Sequence, residues 1–235
     1  MFEKNISDYK PNSIFDYIPR DWFLKTTLEE NYIDSGNCYE QYYAIGRYYE
    51  PRTILEIGVL YGYSAAALIL GAKNRIQKFQ GWDISYYATN KYKDDNNENQ
   101  YFEGEFEYPG WSSNRIATIK LKEIVANNFP MVGVNNNNRD GRPSISIDTT
   151  DSQEVERLNR FYDLIHIDGS HIGEHKLHDL NLTLGKCYVV VVDDYDFIDD
   201  VKTITNHFVE TYSHLIRQTY YIDSHRGTLL IEYKY

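Results

Sequence analysis

One short segment constrains the fold of this chain more than any other. Residues 53–57, Thr-Ile-Leu-Glu-Ile, form an apolar run that is typical of a buried strand. Gly58 and Gly62 follow it, and Ser64 opens a helical pattern. Glycines let the backbone approach a ligand closely, and the N–H groups at the start of a helix can hold an anion. The segment therefore predicts a nucleotide-binding strand–turn–helix unit.

The rest of the chain alternates β-rich runs with helical stretches. This pattern favours a mainly parallel sheet covered by helices on both faces. The predicted strands are 53–58, 79–84, 144–147, 164–167, 188–192, 217–222 and 228–233. The predicted helices are 38–49, 64–72, 152–161, 172–184 and 200–215. Residues 223–227 can turn between the last two strands, so the sheet is expected to end in an antiparallel hairpin.

Two regions fall outside this scaffold. Residues 1–37 form an aromatic-rich N-terminal extension, and residues 38–235 are expected to form one domain. An insert at 85–143 separates the second and third strands by far more than an ordinary connection, and a helix is expected from Ser113. The insert is interpreted either as a decoration or as a lid over the ligand edge of the sheet.

Composition narrows the classes of partner. The chain has 24 Lys and Arg against 35 Asp and Glu residues, a formal net charge of −11, which disfavours nucleic acid. It shows no apolar run of membrane-spanning length, no signal-peptide pattern, and only two cysteines, too few for a disulfide framework. We therefore expect a cytoplasmic protein with no membrane partner. The 23 tyrosines leave a homo-oligomer open.

Glu56 completes the pattern Glu-x-Gly-x-x-x-Gly, which differs from the Gly-x-Gly-x-x-Gly of dinucleotide enzymes. The stretch 56–64, Glu-Ile-Gly-Val-Leu-Tyr-Gly-Tyr-Ser, resembles motif I of the class I S-adenosylmethionine (SAM) methyltransferases, and especially that of catechol O-methyltransferase. The resemblance implies an α/β, Rossmann-like fold with strand order 3-2-1-4-5-7-6. It also implies that the glycine turn faces the methionine part of SAM and that Ser64 helps to hold its carboxylate.

Further cofactor contacts are expected where the second and third strands end. An acidic side chain at Asp83 can accept hydrogen bonds from both ribose hydroxyls, the role that the resemblance assigns to this place. Asp148 and Thr149 lie in a segment that loosely resembles the family's adenine contact, although Ile147 replaces its usual small residue. Asp148 or Asp151 can equally be a cap for the helix predicted next.

The fourth and fifth predicted strands also end in carboxylates, at Asp168 and at the pair Asp193 and Asp194. Neighbouring strands would bring the three together at one edge, where mutual repulsion raises carboxyl pKa values. A divalent cation relieves that repulsion, and oxygen-only ligands suit magnesium, manganese or calcium. The sequence therefore predicts a site for Mg²⁺ or another hard divalent cation; the alternative is that these groups cap helices or are solvated.

The phrase Ile-Asp-Gly-Ser-His with a later Asp-Asp-Tyr resembles the branch of metal-dependent O-methyltransferases that tailor cephalosporins and macrolides. His171 stands where the catechol enzymes carry a lysine base, and histidine suits proton transfer near neutral pH. His171, His175 and His178 also share a helical face at zinc-ligand spacing, although solvated histidines are the alternative for the last two.

The resemblance covers residues 40–84 and 144–235. It implies a SAM-dependent O-methyltransferase that acts on a hydroxyl of a small molecule, with Asp168 and His171 as the catalytic residues. Two alternatives stay open. One is a metal-dependent hydrolase or hydroxylase component that uses the three carboxylates around a water, and the other is a non-methylating SAM-binding relative.

Overall fold

A seven-stranded sheet forms the centre of the molecule. The computed structural model describes residues 5–18, 37–84, 92–93, 99–100, 112–129, 142–223 and 226–235. The strands are β1 Thr53–Ile57, β2 Lys78–Asp83, β3 Ser144–Thr149, β4 Tyr162–Ile167, β5 Cys187–Val192, β6 Ile216–Ile222 and β7 Thr228–Tyr233. Their order is 3-2-1-4-5-7-6, which confirms the predicted topology. Strands β1 to β5 run parallel, and β7 pairs antiparallel with both β5 and β6.

Helices cover both faces of this sheet. They are α1 Asn37–Tyr49, α2 Tyr63–Ala72, α3 Ser113–Asn128, α4 Gly173–Leu182 and α5 Asp199–Thr211. Short 3₁₀ segments are Ile6–Tyr9, Ile14–Asp16, Lys73–Arg75 and Ser152–Glu154, and the two-residue strands Tyr92–Lys93 and Asn99–Gln100 pair with each other. Among the helices that the structure describes, none has the length and apolar character needed to cross a membrane.

The sheet divides the hydrophobic core into two layers. Along β4, Leu164 packs on the side of α1, α2 and α3, whereas Ile165 packs on the side of α4 and α5. Because both faces are covered, the central strands are apolar throughout, as in the Val-Val-Val-Val run of β5. Among the predicted site residues, Glu56 lies on β1 and Asp168 follows β4 directly, so both are near the carboxyl ends of these strands.

Parts of the two regions outside the predicted scaffold belong to the core. In the N-terminal extension, Ile14 and Ile18 are fully buried against the α1 layer. In the insert, α3 carries buried Ile116 and Leu121 and is the crossover helix between β2 and β3. The lid interpretation concerns residues that lie mostly outside the described ranges, so it stays a prediction.

The helix predicted at 152–161 is wrong. Only Ser152–Glu154 forms a short 3₁₀ turn, in which the Asp151 side chain accepts a hydrogen bond from the Gln153 N–H at 2.9 Å. The carbonyl oxygens of Ser152 and Val155 lie 3.0 and 3.1 Å from Nε2 of His178. Side chains therefore satisfy backbone groups that a helix would otherwise pair.

Candidate cofactor and carboxylate site

The turn after β1 has a backbone that favours glycine at two places. Gly58 has φ +85° and Gly62 has φ +81°. A Cβ on Gly58 would overlap the backbone carbonyl of Asp168, because the turn presses against the end of β4. A Cβ on Gly62 would instead meet Leu121 of α3 at 3.4 Å, so Gly62 packs closely against this helix.

Asp83 holds this turn in place. Its buried carboxylate accepts hydrogen bonds from the N–H groups of Val59 and Leu60, at 2.9 and 2.7 Å. The sequence predicted a ribose contact for Asp83, and that contact stays a prediction. The role of Asp83 as a hydrogen-bond acceptor for the turn was not predicted, because it depends on the turn folding back over the end of β2.

Replacing Asp83 by alanine is expected to lower the free energy of unfolding by about 2–4 kcal/mol, because two hydrogen bonds to a buried charged group are lost. Urea unfolding monitored by circular dichroism would measure the change. Asp148→Ala is the matched control, because Asp148 is an exposed strand-end carboxylate that accepts a 2.8 Å hydrogen bond from Gln80. Equal losses from the two variants would show that Asp83 does not hold the turn.

Asp148 and Thr149, the predicted adenine contacts, end β3 beside the start of α3. The Thr149 hydroxyl accepts a 3.2 Å hydrogen bond from Asn114, which also donates to the backbone carbonyl of Asp83 at 3.3 Å. Asn114 therefore ties the ends of β2 and β3 together. Both predicted contact residues lie at the carboxyl edge of the sheet, and their role toward adenine stays a prediction.

A buried polar pair lies beneath the turn. Glu56 and His166 are register partners on β1 and β4, both are 0% exposed, and Oε1 of Glu56 lies 2.7 Å from Nδ1 of His166. The Ser64 hydroxyl donates to the same oxygen at 2.5 Å, and the contact with the SAM carboxylate that the resemblance implies for Ser64 stays a prediction. Within the described part of the chain, Glu56 Oε2 and His166 Nε2 have no hydrogen-bond partner.

The carboxylates of the fourth and fifth strands meet at the same edge. Carboxylate oxygens of Asp168 and Asp193 lie within 4.8 Å of each other and of a ring nitrogen of His166. A second group of this kind contains Asp168, His171 and Asp194. Burial, together with the charges of Asp193 and Asp194, holds the pKa of Asp168 well above its usual value. The cluster therefore favours a compensating positive charge.

Asp194 is paired with two side chains of the chain itself, His171 and Arg226. It is 1% exposed, with His171 Nε2 at 2.9 Å from Oδ2 and Arg226 Nη1 at 3.2 and 3.3 Å from its two oxygens. Burial raises the pKa of Asp194, but the His171 hydrogen bond and the Arg226 charge outweigh it and keep the pKa below its usual value. Arg226 was not predicted as a site residue, because it lies in the segment 223–227, which was expected only to turn between strands.

The three histidines of the 171–178 segment do not converge. His171 faces Asp194, His175 Nδ1 lies 3.0 Å from the Ser170 hydroxyl, and His178 contacts backbone carbonyls of the 152–155 segment. The zinc alternative therefore has no geometric support in these side chains. The His171 side chain is 35% exposed, so it is accessible from solvent while it remains next to the carboxylates.

Comparison with known proteins places the fold. No family model matches the chain, and no curated protein matches it. The O-methyltransferase from Bacillus cereus in complex with S-adenosylhomocysteine (SAH) is similar in structure, with a TM-score of 0.53 and 15% identity over 98% of this chain and 100% of that one. An SAH-bound methyltransferase from Podospora anserina has a TM-score of 0.52 and 12% identity over 84% and 78%. Together with the strand order, these similarities show that this chain has the Rossmann-like fold of the class I SAM-dependent methyltransferases.

Proposed function

We propose that this protein is a SAM-dependent O-methyltransferase whose acceptor is a hydroxyl group of a small molecule. The observation that carries the proposal is the glycine turn between β1 and α2, held by Asp83 directly beside the carboxylate cluster of β4 and β5. The two structurally similar proteins reported above were crystallised with SAH, the product that SAM leaves after methyl transfer.

The cofactor side of the site rests on the turn. SAM supplies an electrophilic methyl group when it is bound. Gly58 keeps the turn free of side-chain atoms at the end of β4, and Asp83 lies at the position from which a carboxylate can reach ribose hydroxyls. The chain's main contribution to the reaction is to hold the methyl donor and the acceptor oxygen in line.

The acceptor side of the site rests on β4 and β5. The Asp168 N–H donates a 2.8 Å hydrogen bond to the carbonyl of Ile57, so the carboxylate cluster begins directly beside the turn. His171 would take the proton from the acceptor hydroxyl, and Asp194 would orient the imidazole through its 2.9 Å contact. The pair resembles the arrangement of a general base with a carboxylate that orients it.

A divalent ion fits the same cluster. Carboxylate oxygens of Asp168 and Asp193 lie within 4.8 Å of each other, and the closeness of these two negative charges supports the proposal of a bound cation. These two carboxylates would hold the ion. When bound, it would polarise the acceptor oxygen and make its hydroxyl more acidic.

Isothermal titration calorimetry of the full chain with SAM, SAH and NAD tests the proposal. We expect SAM and SAH to bind with dissociation constants on the order of 1–100 µM, and NAD not to bind, because the turn lacks the dinucleotide pattern. Binding of NAD without SAM or SAH would overturn the proposal. A metal ion bound without any affinity for SAM would favour the hydrolase alternative.

Methyl transfer itself is measured with radiolabelled SAM and a panel of catechols, hydroxylated sugars and polyketides. Activity is expected to fall in excess EDTA and to return when a divalent salt is added, since Asp168 and Asp193 would then regain their counter-charge. Full activity in EDTA would leave the methyltransferase proposal in place and remove its metal-assisted form.

A further inference from the structure

The geometry points to a transition-metal site formed by His166, Asp168 and Asp193, with Glu56 as the partner that orients the imidazole. We infer that it selects Mn²⁺, Co²⁺ or Zn²⁺ over Mg²⁺. The sequence predicted Asp168, Asp193 and Asp194 as the metal ligands. In this assignment, the buried His166 takes the place of Asp194. Its role in methyl transfer rests on the proposed function, whereas metal binding is tested independently of activity.

The first observation is a buried nitrogen without a partner. His166 is 0% exposed, and Nε2 has no hydrogen bond from the described residues. Leaving a buried polar atom unpaired costs about 1–3 kcal/mol. The imidazole lies with the carboxylates of Asp168 and Asp193, and the three ligand atoms fall within 4.8 Å of one another. Ligand atoms around one ion with bonds of about 2.0–2.2 Å lie at most about 4.4 Å apart, so this upper limit is near the separation that a shared ion requires.

The second observation is the contact on the other side of the ring. Nδ1 of His166 lies 2.7 Å from Oε1 of Glu56, and the Tyr42 ring packs against the imidazole with centroids 4.9 Å apart. A carboxylate that accepts the Nδ1–H proton fixes the tautomer with the Nε2 lone pair available. Metal-binding histidines usually have such a carboxylate or carbonyl partner. The pair therefore presents Nε2 as a ligand and holds it in one orientation.

The charges around the two residues explain why Asp193 is assigned as a metal ligand and Asp194 is not. Asp194 already contacts the Arg226 guanidinium and His171. Asp193 has a 3.5 Å contact with the Thr228 hydroxyl and no ion pair with a described cationic side chain. Lys176 is a buried cationic residue that acts electrostatically on Asp168, but the negative charges of Asp193 and Asp194 act on it as well. A divalent ion would therefore balance Asp168 and Asp193 without displacing Arg226.

The ligand type sets the preferred metal. Mg²⁺ prefers oxygen ligands and retains its waters, whereas imidazole nitrogen suits later transition metals. One nitrogen and two carboxylates therefore favour Mn²⁺, Co²⁺ and Zn²⁺, with affinity expected to increase in that order. We expect Mg²⁺ to bind at least about tenfold more weakly than Mn²⁺.

The decisive experiment combines calorimetry with pulsed electron paramagnetic resonance on the EDTA-stripped full chain. Wild-type protein titrated with Mn²⁺ should bind one ion and show modulation from a coordinated ¹⁴N nucleus. In His166→Asn the amide can still donate to Glu56, but the Nε2 ligand is lost. We expect its Mn²⁺ affinity to fall by about 10–100-fold and the ¹⁴N modulation to disappear.

The control is His171→Asn, which removes the other histidine near Asp168 and should retain both the affinity and the modulation. SAH titration in EDTA shows that each variant is folded, and it tests the proposed function separately from the metal site. Absence of ¹⁴N modulation in wild-type protein overturns the inference. It is also overturned if His171→Asn loses the modulation while His166→Asn retains it. Failure to bind any of these ions also overturns it and would leave Lys176 as the counter-charge of Asp168.

Discussion

Gly58→Ala is expected to abolish measurable SAH binding and to lower the free energy of unfolding by about 2–4 kcal/mol. The new methyl group would overlap the backbone carbonyl of Asp168, and the φ of +85° is unfavourable for alanine. The turn and the end of β4 would have to separate. That movement would break the 2.8 Å hydrogen bond from the Asp168 N–H to the carbonyl of Ile57. It would therefore disturb the cofactor side and the acceptor side of the proposed site at the same time.

Gly71→Ala provides a matched control for this variant. A Cβ on Gly71 would overlap the backbone carbonyl of Tyr43, where α1 and α2 pack closely, so the steric conflict is of the same kind. Both variants should lose stability in urea unfolding, but Gly71→Ala should bind SAH with nearly wild-type affinity below its unfolding transition. Equal SAH affinities for the two variants would show that the Gly58 turn does not form the cofactor site.

His171→Ala is expected to reduce the rate of methyl transfer by about 10²–10⁴-fold, the usual contribution of a general base. SAH affinity should change by less than about threefold, because proton transfer matters mainly in the transition state. The measurement is single-turnover transfer from radiolabelled SAM to an acceptor found in the panel.

His175→Ala is the control for this second prediction. His175 lies on α4 and contacts the Ser170 hydroxyl at 3.0 Å, without a described contact to the carboxylates. Its replacement should change the rate by less than about tenfold. Similar losses in both histidine variants would indicate that His171 acts through the packing of the 170–178 segment, and Asp168 or a solvent molecule would then be the candidate base.

Much of the fold was predictable because its signals are local. The buried central strands are continuous apolar runs, and β1, β5 and β7 were found within one residue of their observed bounds. The strand order came from the resemblance carried by residues 56–64, and not from spacing. The 152–161 segment was misassigned because its backbone groups are satisfied by His178, which lies about 20 residues later in the chain.

The candidate site was predictable where residues follow strands and unpredictable where they pair across strands. Asp83, Asp168 and Asp193 lie at the strand ends that their sequence positions indicated. His166 was missed because its significance comes from the register of β4 against β1, which sets it opposite Glu56. Arg226 was missed because nothing near it in sequence shows that the turn before β7 reaches Asp194.

The position of β7 has a consequence for biosynthesis. This strand comes last along the sheet-forming chain, yet it lies between β5 and β6, and all six of its residues are buried. While the ribosome is still translating residues before 228, β5 therefore has an unpaired edge of the kind that promotes aggregation. Arg226, the partner of Asp194, is also added only at this stage. In a nascent chain, Asp194 should thus gain its contact with Arg226 only when synthesis has reached the final hairpin.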